Sequence, residues 1–351
     1  MVAMQQRSRR LTAIAILTAI VLAGCNSSSS TSDFPPLTSS RDAGADVTNN
    51  PWHSVKLTHL ITEPDEPLRE IAVSPDGHIL ASGSIEGNVY FWDFQTGQTL
   101  RHFSVRSRVQ SIAFSPDGQT LATGGDDGRV RLWRTATGQF IRTVARYPFP
   151  VQSIAFSPDG SILATSTWKK AIDLWDAKSG QSLRTLTGHT DTVNTLVFNR
   201  DGTALASGSY DGTIRLWQPS TGTPIHTFVG YKRPVYTLAF NPDGHFLVSG
   251  GDDTVKVWDV RTAQLTTTLI GHADVVTSVA VTADGRTIVS GSRDKSIKLW
   301  DIATGALIKS LAVDPTLTVV TNPHTQAIAS TGNDGTVKIW EPTTDHAPAK
   351  P

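Results

Sequence analysis

The chain is short of cysteine, of net charge and of long apolar runs, and each shortage excludes something. A single cysteine among 351 residues, Cys25, rules out an intramolecular disulfide. Lysine and arginine number 31 and aspartate and glutamate 31, so no net field draws the protein onto nucleic acid or an anionic membrane surface. A general nucleic-acid binder is excluded on that ground. The apolar stretch Leu11 to Val21 is too short to cross a bilayer. Metal-binding patterns are missing as well, since there is no H-E-x-x-H helix motif and the lone cysteine sits near the N-terminus. Acidic pairs such as Asp126-Asp127 and Asp252-Asp253 have the oxygen ligands calcium takes, but ordinary turn chemistry accounts for them. No glycine loop built to cradle phosphate is present, so neither a cofactor nor a metal is expected.

What is present begins at the N-terminus. Arg7, Arg9 and Arg10 precede the apolar stretch, and Leu22-Ala23-Gly24-Cys25 follows it directly. The tetrapeptide resembles the bacterial lipobox. That resemblance implies a signal peptide over residues 1–24, removed to leave a diacylglycerol-bearing Cys25 as the new N-terminus of an envelope lipoprotein. An ordinary signal peptide or an uncleaved anchor would also place the domain outside the cytoplasm. Asn26 is not the aspartate that retains proteobacterial lipoproteins in the inner membrane, which favours the outer membrane where the host has one. From Cys25 to Pro51 the chain is mostly small and polar and cannot offset its own ordering entropy, so a flexible tether spanning roughly 25 to 30 Å is expected. The last residues, 344–351, read as a disordered tail.

At this length one ordinary core stops growing, so the chain holds either two domains or one modular architecture. Internal repetition decides for the second. An apolar-x-apolar-Trp ending recurs at Trp92, Trp133, Trp175, Trp217, Trp258, Trp300 and Trp340, at intervals of 40 to 42 residues. A turn marker keeps step with it: Ser74-Pro75-Asp76-Gly77, Ser115 to Gly118, Ser157 to Gly160, Asn199 to Gly202, Asn241 to Gly244 and Thr282 to Gly285. Proline presets φ for such a turn and glycine accepts φ > 0, so the chain reverses between two strands. Before the turn, Val109-Gln110-Ser111-Ile112-Ala113-Phe114 is apolar or small on both faces, as a doubly buried inner strand requires. After it come Leu205 to Ser209 as a second strand, Asp211-Gly212 as a hairpin, Thr213 to Trp217 as a half-exposed third strand and Pro224 to Phe228 as a fourth.

These repeats resemble the WD-repeat family over residues 52–343, which implies an all-β, seven-bladed propeller. The Trp-Asp pair stands at Trp92-Asp93, Trp175-Asp176, Trp258-Asp259 and Trp300-Asp301, while Arg134, Gln218 and Glu341 replace the aspartate elsewhere. The family's Gly-His pair appears at Gly188-His189 and Gly271-His272. Val55 to Leu60 looks like a fourth strand without its first three, and the last repeat stops after three. The two fragments should pair, closing the ring without a free sheet edge. The extra Trp52 should pack against the ring or mark the end of the tether.

Serine, histidine and aspartate invite a hydrolase reading for His189, Ser207 or Ser209, Asp211 and Trp217. The resemblance implies instead a buried chain of hydrogen bonds, and the same set recurs as His272, Ser290 or Ser292, Asp294 and Trp300. A catalytic triad has no reason to occur twice at a structural period. What remains is surface. Where Gly-His is absent, the loops before the inner strands carry Arg106 and Arg108, then Arg146, Tyr147 and Phe149, then Tyr231, Lys232 and Arg233. The third repeat also replaces its Asp-Gly hairpin by Lys169-Lys170 after Trp168. The resemblance places these loops on one face around the central channel, giving a cationic, aromatic surface with residue types that carry interface energy. The expectation is a monomeric, lipid-anchored scaffold without enzymatic activity, binding protein partners with acidic segments. The membrane is engaged through its lipid alone. The alternative is a sensor of a sugar, phosphate or metal in the channel, and a hydrolase is the third reading.

Overall fold

Each Pro-Asp-Gly turn is held by its own side chains. In the first, the Ser74 hydroxyl donates to Asp76 Oδ1 (2.5 Å) and accepts the Ile79 N–H (2.8 Å), while the same Asp76 oxygen accepts the His78 N–H (3.1 Å). Gly77 closes this turn at φ +75°, and a Cβ there would lie 2.7 Å from Asn322 Oδ1 of the neighbouring repeat. Glycine is required on both counts.

The computed structural model describes residues 50–62 and 66–343. Cys25, the leader and the tether before residue 50 lie outside the described residues, as does the 344–351 tail. The described chain forms seven four-stranded antiparallel sheets, and all are ordered from the channel outward. Blade one contains β2 (Leu68–Val73), β3 (Ile79–Ser84), β4 (Asn88–Asp93) and β5 (Thr99–Ser104). Blade two has β6 (Val109–Phe114), β7 (Thr120–Gly125), β8 (Arg129–Arg134) and β9 (Phe140–Arg146). Blade three has β10 (Val151–Phe156), β11 (Ile162–Thr167), β12 (Ala171–Asp176) and β13 (Ser182–Thr187). Blade four has β14 (Val193–Phe198), β15 (Leu205–Ser209), β16 (Thr213–Gln218) and β17 (Thr223–Val229). Blade five has β18 (Thr237–Phe240), β19 (Phe246–Gly250), β20 (Thr254–Asp259) and β21 (Leu265–Ile270). Blade six has β22 (Val276–Val281), β23 (Thr287–Ser292), β24 (Ser296–Asp301) and β25 (Leu307–Ala312). The seventh takes β26 (Thr316–Thr321), β27 (Ile328–Gly332) and β28 (Val337–Pro342) from the C-terminal end and β1 (Val55–Ile61) from the N-terminal end.

Closure is as expected from the two fragments. Strand β1 pairs antiparallel with β28 from Val55 opposite Pro342 to Ile61 opposite Val337, with a bulge at Thr58. The Thr58 hydroxyl donates to the Ile339 carbonyl (3.1 Å) and Thr343 N–H to the Ser54 carbonyl (2.8 Å), extending the seam beyond the strand ends. Trp52 is wholly buried in the core between blades six and seven, with Leu299, Ile308 and Ile328, so it packs against the ring.

Neighbouring blades share apolar cores, for example Ile71, Leu80 and Trp92 with Val337 and Ile339 across the closing seam. Each fully buried aliphatic side chain of this kind contributes roughly 1.5 to 3 kcal/mol. The inner strands are also stitched side chain to backbone. Ser111 accepts the Ile154 N–H and Ser153 the Leu196 N–H (both 3.1 Å), while Thr237 accepts from Val279 and Ser278 from Val319 (both 3.0 Å). In blade one a glutamate takes the hydroxyl's place, with Glu70 Oε2 accepting the Ile112 N–H at 2.8 Å.

Candidate interaction face

Connections in an antiparallel sheet alternate ends, so the links between blades and the hairpins joining second to third strands emerge together on one side, the loop face. The Pro-Asp-Gly turns emerge on the other. Asn50 lies on the turn face, where its amide donates to Thr287 Oγ1 (3.3 Å) at the start of β23 and its Oδ1 accepts the Trp52 N–H (3.0 Å).

On the loop face two blades carry the same four-residue relay. Trp217 Nε1 donates to Ser207 Oγ (2.8 Å), Ser207 meets His189 Nε2 (2.7 Å), and His189 Nδ1 meets Asp211 Oδ2 (2.9 Å). Trp300, Ser290, His272 and Asp294 repeat it at 2.9, 2.8 and 2.8 Å. The structure thus selects Ser207 and Ser290; Ser209 and Ser292 instead donate to the loop carbonyls of Asp191 (3.2 Å) and Asp274 (3.0 Å). Burial holds both imidazoles below their usual pKa, against the opposing pull of the aspartates. Burial also pushes the Asp211 carboxyl up, but hydrogen bonds from Thr213, the Thr190 N–H and His189 outweigh it and bring it to about 2. A neutral imidazole with Nδ1–H toward aspartate and Nε2 receiving the serine proton satisfies every group in the relay. Ser207 and Ser290 are wholly buried and already bonded to tryptophan, so no substrate carbonyl reaches them.

Two residues assigned to the exposed face are corrected by the structure. Tyr231 is only 8% exposed, and its hydroxyl bonds Ser249 Oγ and the Ser249 carbonyl (both 2.9 Å), the same serine to which Trp258 Nε1 donates at 2.8 Å. Tyr147 is half-buried, with its hydroxyl 2.7 Å from Thr165 Oγ1 and receiving Trp175 Nε1 at 3.1 Å. Both tyrosines occupy the place histidine holds in blades four and six. The reason is geometric, since a phenol in that loop reaches the same strand hydroxyl. In blades two, five and seven, which lack the histidine, a base on the third strand takes over the turn aspartate: Arg131 pairs with Asp127, Lys256 with Asp252 (3.8 Å) and Lys338 with Asp334 (2.8 Å).

The other expected face residues are solvent-facing. Trp168 is 59% exposed and Phe149 41%, and Arg106, Arg108, Arg146, Lys169, Lys232 and Arg233 are exposed. The expectation of a cationic face is narrowed, however. Arg108 lies 3.6 Å from Asp126, and Lys232 and Arg233 share a cleft of about 390 Å³ with Asp252, Asp253 and Asp274. Those cations therefore have acidic neighbours on the same face.

The sequence reading also missed the channel rim. The second residues of the inner strands of blades one, two, three, four and six, Arg69, Gln110, Gln152, Asn194 and Thr277, share one register position there, and Tyr236 immediately precedes the inner strand of blade five. No motif signals these positions, because the repeat markers lie in turns and outer strands. At the opposite mouth a cavity of about 560 Å³ is walled by Val73, Val197, Phe198, Phe240 and Val281, with Arg200 at its edge. Among the described residues no group of three or more His, Cys, Asp or Glu side chains is placed to hold a metal ion, and no helix is long and apolar enough to cross a membrane.

Seven radial sheets, a ring closed by strand exchange between the two ends and serine-histidine relays buried in the framework define a repeat propeller. The family model described as WD domain, G-beta repeat matches residues 55–93, 96–134, 138–176, 180–218, 222–259, 263–301 and 304–341, and the chain belongs to that family. Propellers of this family are commonly protein-interaction scaffolds. A search of curated proteins returned no match.

Proposed function

We propose that this protein is a lipid-anchored envelope scaffold that binds protein partners, including acidic segments, through the loop face of its propeller. The observation that carries the reading is Trp168, a large aromatic outside the repeat pattern that stands 59% exposed on that face. Exposed tryptophan flanked by cations such as Lys169 and Lys170 is costly to leave in water and energetic when covered. The lipid anchor rests on the Leu22-Ala23-Gly24-Cys25 sequence. Asn50, at the end of the tether, lies on the turn face, which supports presentation of the loop face away from the anchored side.

The test is affinity capture from envelope extract with the purified chain and its Trp168→Ala variant. Capture should fall at least tenfold while the melting temperature stays within about 1 °C, since an exposed side chain adds little to stability. Equal capture by both removes this face from the account.

A further inference from the structure

Six of the seven inner strands end on the turn face in valine or phenylalanine. Blades one, four, five, six and seven wall the cavity of about 560 Å³ at that mouth, where Val73, Phe240, Val281 and Val320 stand beside Pro75 and Pro323 of the turns. Its size falls within the range of about 300 to 1,000 Å³ usual for a binding site. Val73, Phe240 and Val320 are only half-buried there. Arg200 is the one charged side chain in the lining; it is exposed and among the described residues forms no ion pair. On its other side it borders a cleft with Asp201, Asp243 and His245.

The N-terminal part of the chain reaches the propeller beside this cavity. The Asn50 amide donates to Thr287 Oγ1 (3.3 Å); the Thr287 N–H donates to Thr282 Oγ1 (3.1 Å), and its carbonyl accepts the Thr282 N–H (2.9 Å). Thr282 directly follows Val281 of the cavity wall, so one strand spacing of about 4.8 Å separates Thr287 from the wall strand. Upstream stands Asp33-Phe34-Pro35-Pro36-Leu37, outside the described residues. Phe34 and Leu37 are the only Phe, Leu, Ile, Met, Trp or Tyr residues between Asn26 and Asn49. Pro35 and Pro36 favour polyproline II, whose three residues per turn put Phe34 and Leu37 on one edge about 9 Å apart. Residues 38–49 span about 20 Å as a coil, enough to carry Leu37 from Asn50 to the mouth.

We propose that Phe34-Pro35-Pro36-Leu37 of the same chain docks in the turn-face cavity, Phe34 and Leu37 covering the valine and phenylalanine wall and Asp33 facing Arg200. A segment already held extended by two prolines loses little conformational entropy on docking, and the apolar area it covers drives the contact. The short link to Asn50 gives an effective concentration in the millimolar range, which favours the chain's own segment over that of a second copy. The inference goes beyond the scaffold reading, since the docking needs neither a protein partner nor the lipid. Where Cys25 carries a lipid, residues 26–32 remain as the link, at most about 30 Å when extended, and the turn face is held toward the membrane.

The experiment places photoreactive benzoylphenylalanine at position 34 of the full chain purified from its own cells and maps the adducts by mass spectrometry after digestion. The expected result is an intrachain link to peptides carrying Phe240, Val281 or Val320. Leu37→Ser should cut its yield at least fivefold, as should Arg200→Glu by repelling Asp33, while Val47→Ser leaves it unaltered. Positions 34, 37 and 47 precede the propeller and Arg200 is exposed on a turn, so an unchanged melting temperature separates lost docking from lost folding. Links to the loop face or the outer rim, no intrachain link, or a yield indifferent to both Leu37→Ser and Arg200→Glu overturn the docking. A link to the same wall between two chains, read from its doubled mass, gives the cavity to a second copy and overturns the intrachain proposal. Adducts to lipid alone overturn it as well.

Discussion

At the scale of single residues, the same chemical type does different work according to where the repeat places it. Tyr231 and Tyr210 are both tyrosines of the loop side, yet one replaces a framework histidine and the other stands in solvent. Tyr231→Phe removes a buried hydroxyl from Ser249 and should cost about 1 to 2 kcal/mol, read in a denaturant titration. A face role would instead predict lost binding at constant stability. Glu70 is a second case. Its folded-state pKa of about 7 exceeds the ordinary carboxyl value of 4.5, so the folded protein holds the extra proton. Stability from this group therefore falls as pH rises from about 4.5 to 7. Glu70 keeps part of its surface on the channel, so Glu70→Gln should gain about 1 to 2 kcal/mol at pH 8 and lose that advantage near pH 4.5. His189 and His272 run the other way. Their lowered pKa values make stability fall as pH drops below about 6.5, and Asp211 adds to that loss between its ordinary 3.8 and about 2. A thermal melt series from pH 4 to 8 on parent and Glu70→Gln separates the opposing slopes.

At the scale of strands and loops, the elements that recur were legible and those that depart from the repeat were only half so. The Trp ending and the Pro-Asp-Gly turn mark third and first strands because a large aromatic is buried at the end of the one, as Trp217 is against Ser207, and the turn after the other needs glycine at positive φ. Departures such as Arg108 and Lys232 announced themselves as missing Gly-His, but their meaning depended on partners more than ten residues away, Asp126 and Asp252 among them. Arg69 escaped notice for a different reason. It sits inside a strand whose pattern says only that the strand is inner, and its rim position exists only once seven blades close. The closing seam itself is testable. Lys56 lies opposite Glu341 in the β1–β28 pair, and Lys56→Cys with Glu341→Cys should oxidise to a disulfide that shifts mobility on a non-reducing gel. A purely thiol population after oxidation would contradict the register.

At the scale of the whole molecule, the ring converts a weak local signal into a directional object. Asn50 sits on the turn face beside β23, whereas Trp168, Tyr210 and Tyr236 lie on the loop face. Strand exchange at the seam makes the first and last strands one blade, so loss of the N-terminal segment would expose an unpaired edge on β28 and invite aggregation. The most direct measurement of the account is photo-crosslinking in the protein's own cells, with a photoreactive residue at position 168 on the loop face or at position 178 on the turn face. The expected result is discrete protein adducts at 168 and none at 178. Adducts at 178 in place of 168, or none at either, would contradict it.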